Sequence, residues 1–411
     1  MGKIAIIGGG AAGLLAAGTA GEKRADVTLF EKNPMTGKKI LITGKGRCNV
    51  TCDAEVREME KHLPRGGKFL RSALYAFPPS EVFRFFESEG VPLKIERGGR
   101  VFPVSDRARD IRDALEKYAL REKNVTLKKE KVLSVKKDGQ TFLVETPKGI
   151  ERFDRVLIAT GGLSYPGTGS DGDGYRFAKA LGHRITPCRP ALIPLTVKES
   201  LPVEAMGLSL KNVSVRIENA SEKKIYEDFG EMLFCHFGVS GPVILSASSY
   251  LDFEKEKEYR LFLDLKPALS AEELDKRVLS DFRENQNRDF INSLNRLLPQ
   301  KLIEPMIALS DIDPRKKVNL ISREERQRLV SLLKKLPLTV TGTRPVKEAI
   351  VTRGGIALDE IDPRTMESRI VPGLFFAGEV IDADGLTGGF NLQIAFSTGR
   401  LAGEALSKEE L

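Results

Sequence analysis

Apolar residues in this chain come in short runs cut by glycine turns. The first run, Ile4-Ala-Ile-Ile7, is continuous rather than alternating, which predicts a strand buried on both faces of a parallel sheet. Gly8-Gly-Gly-Ala-Ala-Gly13 follows, and the small residues from Ala11 to Ala20 predict a helix able to pack closely on that sheet. Asp26-Val-Thr-Leu-Phe-Glu31 predicts the second strand, completing a β-α-β unit of roughly thirty residues. Residues 36–51 read as a loop rich in glycine and lysine. A helix is expected over 80–90, opened by Pro79 and Ser80 and stopped at Gly90. Another is expected over 106–122, with Ile111, Leu115, Tyr118 and Ala119 on one face. Strands follow at 125–128, 131–137, 140–146 and from Arg155, then a helix near Gly174–Leu181.

From about Pro190 the texture changes. Strands are expected at 192–198, 208–218, 223–229 and 258–264, helices across 270–335, and β structure again at 338–341 and 349–352. From 354 the chain returns to its opening pattern. The expected organisation is a discontinuous nucleotide-binding domain, 1–190 with 354–411, interrupted by about 150 residues. Within that insertion, 191–268 with 337–353 form a β-rich substrate domain and 269–336 a helical subdomain.

The glycines carry the candidate chemistry. Gly8, Gly10 and Gly13 lie after a strand and at a helix start: the first makes the turn, the second admits a pyrophosphate, the third lets helix and strand approach. The first helical residues Ala11 and Ala12 would present backbone N–H groups to that anion. Glu31 ends the second strand eighteen residues after Gly13, where a carboxylate can accept from a ribose diol, with Lys32 beside it. This unit alone does not separate NAD from FAD. A second signature near the C-terminus does: Gly373-Leu-Phe-Phe-Ala-Gly378-Glu379, then Gly388-Gly389-Phe-Asn391-Leu392-Gln393 opening a helix to about Leu406. In flavoproteins with two dinucleotide-binding signatures, a carboxylate there reaches the ribityl and pyrophosphate region. The helix N-terminus then stabilises the anionic reduced flavin. Ala159-Thr160-Gly161-Gly162 after an apolar strand is a third such element, and Val132 is placed to offer its backbone to the adenine, a plain sheet position being the alternative.

Composition narrows the class without naming a substrate. At 411 residues, with 41% hydrophobic and 30% charged positions, two or three globular domains are expected. No apolar run is long enough for a membrane span, and the first strand does not read as a signal peptide, so a cytoplasmic location is expected. Cys48, Cys52, Cys188 and Cys235 are then reduced thiols. Three dispersed histidines and no C-x-x-C pair argue against a metal site. The formal charge of +8 suits an anionic cofactor or a basic solvated surface.

Taken together, Gly8–Gly13, Thr43-Gly-Lys-Gly-Arg-Cys-Asn-Val-Thr51, His236-Phe-Gly-Val-Ser-Gly-Pro242 and Thr387-Gly-Gly-Phe-Asn-Leu-Gln-Ile-Ala-Phe396 resemble the bacterial aminoacetone oxidase-like, BaiN-type family of FAD-dependent oxidoreductases. The resemblance runs along essentially the whole chain. It implies an α/β, Rossmann-like FAD-binding domain of the two-dinucleotide-binding-domain type, interrupted by a β-barrel-like domain and a helical one. It also implies that Lys38, Lys39, Gly44, Gly46, Arg47 and Asn49 line the flavin. The family pattern has Thr at Cys235 and Asn at Cys52, so neither cysteine is given an essential role.

The implied reaction is amine oxidation with oxygen, or NAD(P)H-linked reduction of an activated C=C bond, in which NAD(P)H binds only transiently because no second G-x-G-x-x-G lies in the insertion. The substrate is expected to be a small molecule entering between the FAD domain and the insertion. His236 is the candidate general acid or base, with a hydrogen-bonded interface histidine as the alternative. A flavoprotein acting on RNA is the rival reading, placed second because Trp is absent and no aromatic-basic RNA motif is evident.

Overall fold

The computed structural model describes residues 2–408, which form two compact units: 2–191 with 345–408, and Leu192–Arg344. The first is built on a five-stranded parallel sheet. Strand β1, Lys3–Ile7, lies centrally, helix α1, Ala11–Glu22, follows it, and strand β2, Asp26–Phe30, pairs with β1. Strand Val125–Lys128 extends the sheet beyond β2; on the other side come Arg155–Ile158 and then Leu374–Phe376. Ile4, Ala5, Ile6 and Ile7 are all buried, as their unbroken apolar run requires.

Close packing explains the glycines and alanines. A Cβ at Gly13 would sit 1.9 Å from the carbonyl oxygen of Gly8, so any other residue would force α1 off the sheet. The C-terminal helix, Phe390–Leu406, packs on α1 through Gly399, where a Cβ would come within 2.4 Å of the Ala12 carbonyl.

The second unit contains a closed six-stranded barrel, with Leu195–Val197, Gly238–Ser240, Lys224–Cys235, Ser209–Glu218, Tyr259–Asp264 and Leu336–Thr343 paired in that order. Its interior is filled by side chains such as Val213, Val215, Phe234, Leu261 and Val340. The three longest helices of this unit are Ala271–Glu284, Gln300–Ser310 and Arg323–Lys334. The first and third begin with capping boxes, Ser270 with Glu273 and Ser322 with Glu325, the Ser-x-x-Glu spacing written in the sequence.

Three local readings change. The strand expected over 223–229 continues to Cys235, because it pairs with Ser209–Glu218 as far as Leu233 and with Gly238–Ser240 over its last three residues. The 36–51 loop contains a kinked 3₁₀ segment, Ile40–Gly46. Residues 345–353, read as the end of the insertion, belong to the first unit: Val351–Arg353 pairs antiparallel with Arg189–Ala191, and the Thr352 hydroxyl accepts from the N–H groups of Leu163 and Ser164. Helix Gly67–Ala76 and hairpin strands Leu93–Glu96 and Arg100–Pro103 are additional elements of that unit.

His183, fully buried in the first unit, ties the end of helix Asp173–Ala180 to the segment before strand Leu374–Phe376. Its Nδ1 meets Glu360 at 3.1 Å and its Nε2 meets the Ser368 hydroxyl at 2.9 Å. That hydroxyl already accepts from Ile370 and Val371, so it donates its own proton to an unprotonated Nε2. Burial pulls the imidazole below its usual value of 6.5, against the opposing pull of Glu360. With the folded pKa depressed, stability is complete above the unfolded value and is lost as pH falls toward the folded one. Thermal melts between about pH 7.5 and about pH 5.5 should show this loss. In a His183→Asn protein, less stable throughout, the slope across that window should be shallower; an unchanged slope would assign the dependence to other groups.

Candidate functional site

One cleft of the first unit gathers most of the expected residues. It is open at one side and encloses about 1290 Å³, counting its mouth. Gly8, Gly10, Ala11, Ala12, Glu31, Lys32, Lys38, Lys39, Val132, Ala159, Thr160, Gly161, Gly378, Glu379, Asn391 and Leu392 line it. They come from the two chain ends and the middle of the domain, so the parallel sheet assembles the site: residues just after each of its five strands line the cleft at its C-terminal edge.

At one end, Glu31 organises the first glycine turn. Its carboxylate accepts from the Gly9 N–H at 2.9 Å, from the Asn33 N–H at 2.8 Å and from Asn33 Nδ2 at 2.7 Å. Lys32 bonds Asp171 and Asp173 nearby. In the middle, Glu379 accepts from Lys39 Nζ at 2.6 Å, from the Ser164 hydroxyl at 2.9 Å and from the Thr352 N–H at 2.8 Å. Lys39 also donates to Ser164 Oγ at 2.6 Å. This network joins residues more than 300 positions apart; Ser164, just after the Gly161-Gly162 turn, is in reach of a sequence reading as a site neighbour, whereas no spacing announces Thr352. At the far end, Asn391 and Leu392 start the C-terminal helix. Neither that helix nor α1 has a side-chain N-cap, so no capping side chain stands between their first turns and the cleft that both line.

The cleft fits FAD on its own features. The space a Cβ would take at Gly10 holds no atom within 4 Å, leaving room for a phosphate against α1. The buried Thr160 hydroxyl, on the cleft wall, has no hydrogen-bond partner among the described residues. Two helix starts without side-chain caps line one cavity that lysines and carboxylates also line.

Nine expected residues do not line it. Gly13 serves helix-strand packing. Gly44 and Gly46 shape the turn after Thr43, which does line the cleft. Arg47 is turned toward Glu96 and Asp106, stacked 4.1 Å from the Phe102 ring centre, and is drawn there by two carboxylates. Asn49 accepts from the Val101 N–H. A Cβ at Gly162 would meet the Thr352 hydroxyl, and Gly388 and Gly389 form the left-handed turn that starts the last helix. Gln393 is fully buried, bonded to Phe77 O, Ser397 and Thr51. Cys48 is completely buried, its thiol pushed up to about 12 by that burial, which makes it a packed thiol and no nucleophile. His236 lies exposed in the second unit against Phe237 and is not part of the cleft.

The model of the HI0933-like protein Rossmann domain family matches residues 2–405. The chain belongs to that family. It is 32% identical to the 3-dehydro-bile acid delta(4,6)-reductase of Clostridium scindens, over 99% of this chain and 100% of the relative. It is also 32% identical to the ribosomal RNA dihydrouridine synthase of Escherichia coli, over 96% of this chain and 95% of that one. Among solved structures, the 3-ketosteroid delta1-dehydrogenase of Sterolibacterium denitrificans superposes with a TM-score of 0.51 at 13% identity, over 99% of both chains, a likeness of fold. This HI0933-like chain is an FAD-dependent oxidoreductase. Among its described residues no helix is long and apolar enough to cross a membrane.

Proposed function

We propose that this protein reduces a C=C bond conjugated to a carbonyl group, with electrons delivered to FAD by transiently bound NAD(P)H. The observation that carries the reading is a chemistry shared by the two relatives: a delta(4,6)-reductase and a dihydrouridine synthase each saturate a ring C=C bond. Amine oxidation, the other outcome open to the sequence, has no such support.

In this reading Glu31 takes the adenosine ribose and the backbone of Gly10–Ala12 takes the pyrophosphate. Lys39 and Glu379 hold the polar chain between the two ends, and the helix beginning at Phe390 faces the reacting ring. Bound FAD supplies hydride transfer. The protein's part is to fix position, to place the helix dipole beside developing negative charge, and to provide a proton.

The test is to reduce the holoprotein anaerobically and mix it in turn with 2-cyclohexen-1-one, a uridine-containing RNA and oxygen. Return of the oxidised flavin spectrum with a C=C acceptor, and a product heavier by two hydrogens, is expected. Millisecond reoxidation by oxygen with no turnover of either acceptor would point to an oxidase and end the reading.

A second reading narrows the acceptor to a uracil ring in RNA. It is favoured by the net charge of +8 and by two dihydrouridine synthases among the relatives, the second from Haemophilus influenzae at 30% identity. Binding to that RNA should then weaken steeply as salt rises.

A further inference from the structure

Residues 165–172 join Ser164 to helix Asp173–Ala180, and Thr168, Gly169 and Ser170 among them line the cleft. Lys32, Asn33 and Lys38, from the loop after β2, line it too. Three side chains of that loop reach the segment. Lys38 Nζ donates to Gly167 O at 2.7 Å, Asn33 Nδ2 to Thr168 O at 3.0 Å and Lys32 Nζ to Asp171 at 2.6 Å. Apart from the helix it leads into, the segment makes no other hydrogen bond outside itself among the described residues.

Both ends of the segment are fixed. Ser164 is buried and bonded to Thr352, Ile350 and Glu379. At the other end, a Cβ on Gly174 would lie 2.1 Å from the Thr160 hydroxyl oxygen, so the helix start is packed against the cleft wall. Just inside these ends the backbone is left-handed, at Tyr165 with φ 51° and at Gly172 with φ 88°. A tyrosine in that region is strained, and such outliers gather at clamps and switches. Between them Pro166–Thr168 is a 3₁₀ turn closed on itself, the Thr168 N–H and hydroxyl both donating to Tyr165 O. Pro166 and Gly167 are exposed. Asn33 Nδ2 also donates to Glu31 Oε1 at 2.7 Å, so one amide joins the segment to the carboxylate proposed for the adenosine ribose.

We propose that residues 165–172 are a flap over the adenosine half of the cleft, latched by Lys32, Asn33 and Lys38, and that FAD enters and leaves when it opens. Opening breaks three tethers and leaves both ends in place, the backbone change falling on Tyr165 and Gly172. The Lys32–Asp171 pair has side chains 22% and 41% exposed, so it is a weak latch that salt weakens further. This inference rests on FAD occupying the cleft, and not on which acceptor the flavin reduces.

The test mixes apoprotein with rising FAD and follows flavin fluorescence, while displacement from the holoprotein gives the dissociation rate. In wild type the association rate should level off at high FAD, because opening then limits it. Asp171→Ala cuts one tether at a residue that does not line the cleft. It should raise the plateau and the dissociation rate together, each by about two- to fivefold, with Kd nearly unchanged. A side chain that only holds bound cofactor would change the dissociation rate alone. Asp171→Glu should return both rates toward wild type, and added salt should raise the plateau more in wild type than in Asp171→Ala. Association that stays linear in FAD would overturn the flap, as would a rise in dissociation alone. So would a plateau unchanged both in Asp171→Ala and in Asp171→Ala with Lys38→Ala. Full FAD affinity in Glu31→Ala would remove the cofactor from this cleft and the flap with it. A colourless Glu31→Ala beside linear association in wild type sinks the flap alone.

Discussion

Glu31→Ala should purify largely colourless, with FAD affinity lowered by about 100-fold or more. In this structure Glu31 also builds the turn it faces. Its two oxygens take the N–H of Gly9, the N–H of Asn33 and the Asn33 amide, so they hold the glycine turn in the shape that receives a pyrophosphate. Hydrogen bonds to a charged group are worth about 1.5–3 kcal/mol each, and each 1.4 kcal/mol is about a factor of ten in affinity. Loss of two such bonds, with the ribose contact added, reaches the stated fall or exceeds it. Titration of the apoprotein with FAD, followed by flavin fluorescence, measures it. Glu31→Gln should recover part of the loss, because an amide oxygen can still accept one of these N–H groups. An alanine protein that stays fully yellow would remove Glu31 from the site.

Gln393→Leu is expected to act on stability and to spare the flavin. Gln393 belongs to the most specific motif of the chain, yet it is 0% exposed and points away from the cleft. Its Nε2 donates to Phe77 O at 2.8 Å and to Ser397 Oγ at 2.9 Å, and its Oε1 accepts from the Thr51 hydroxyl. Leucine would leave Thr51 buried without its acceptor and weaken the tie between the last helix and helix Gly67–Ala76. Each buried polar group left unpaired costs about 1–3 kcal/mol. A fall in Tm of roughly 5–10 °C should follow, at about 2–4 °C per kcal/mol for a unit of this size. The visible spectrum of bound FAD should be nearly unchanged. Thr51→Val combined with Gln393→Leu should cost less than the sum of the two, since donor and acceptor then leave together. Loss of FAD without loss of stability would return Gln393 to the flavin.

These two residues mark how far the amino-acid sequence is legible. Glu31 can be read from it because a β-α-β unit is local: strand, glycine turn, helix and terminal acid fall within one stretch whose geometry is set by its own spacing. The same holds for the Ser-x-x-Glu starts of two helices in the insertion. The roles of Gln393 and Arg47 cannot be read in that way. Their motifs mark them as important, but a specific residue can serve packing as well as a ligand, and only the position of its partners decides. Arg47 finds Glu96 and Asp106, two carboxylates at the hairpin Leu93–Pro103, and its guanidinium is held between them.

Local spacing was enough to point to the class of fold, the cofactor and the two ends of the candidate cleft, because a strand, its glycine turn and the following helix start lie within one short stretch of chain. How those ends meet was decided by long-range packing. Lys39 closes on Glu379 with Ser164 and Thr352, residues 345–353 return to the first unit, and a buried Asp384 pairs with Arg65. Each is a contact between residues far apart in the chain, set by the order of strands in the sheet and by burial, and none of them is written in the spacing of neighbouring residues.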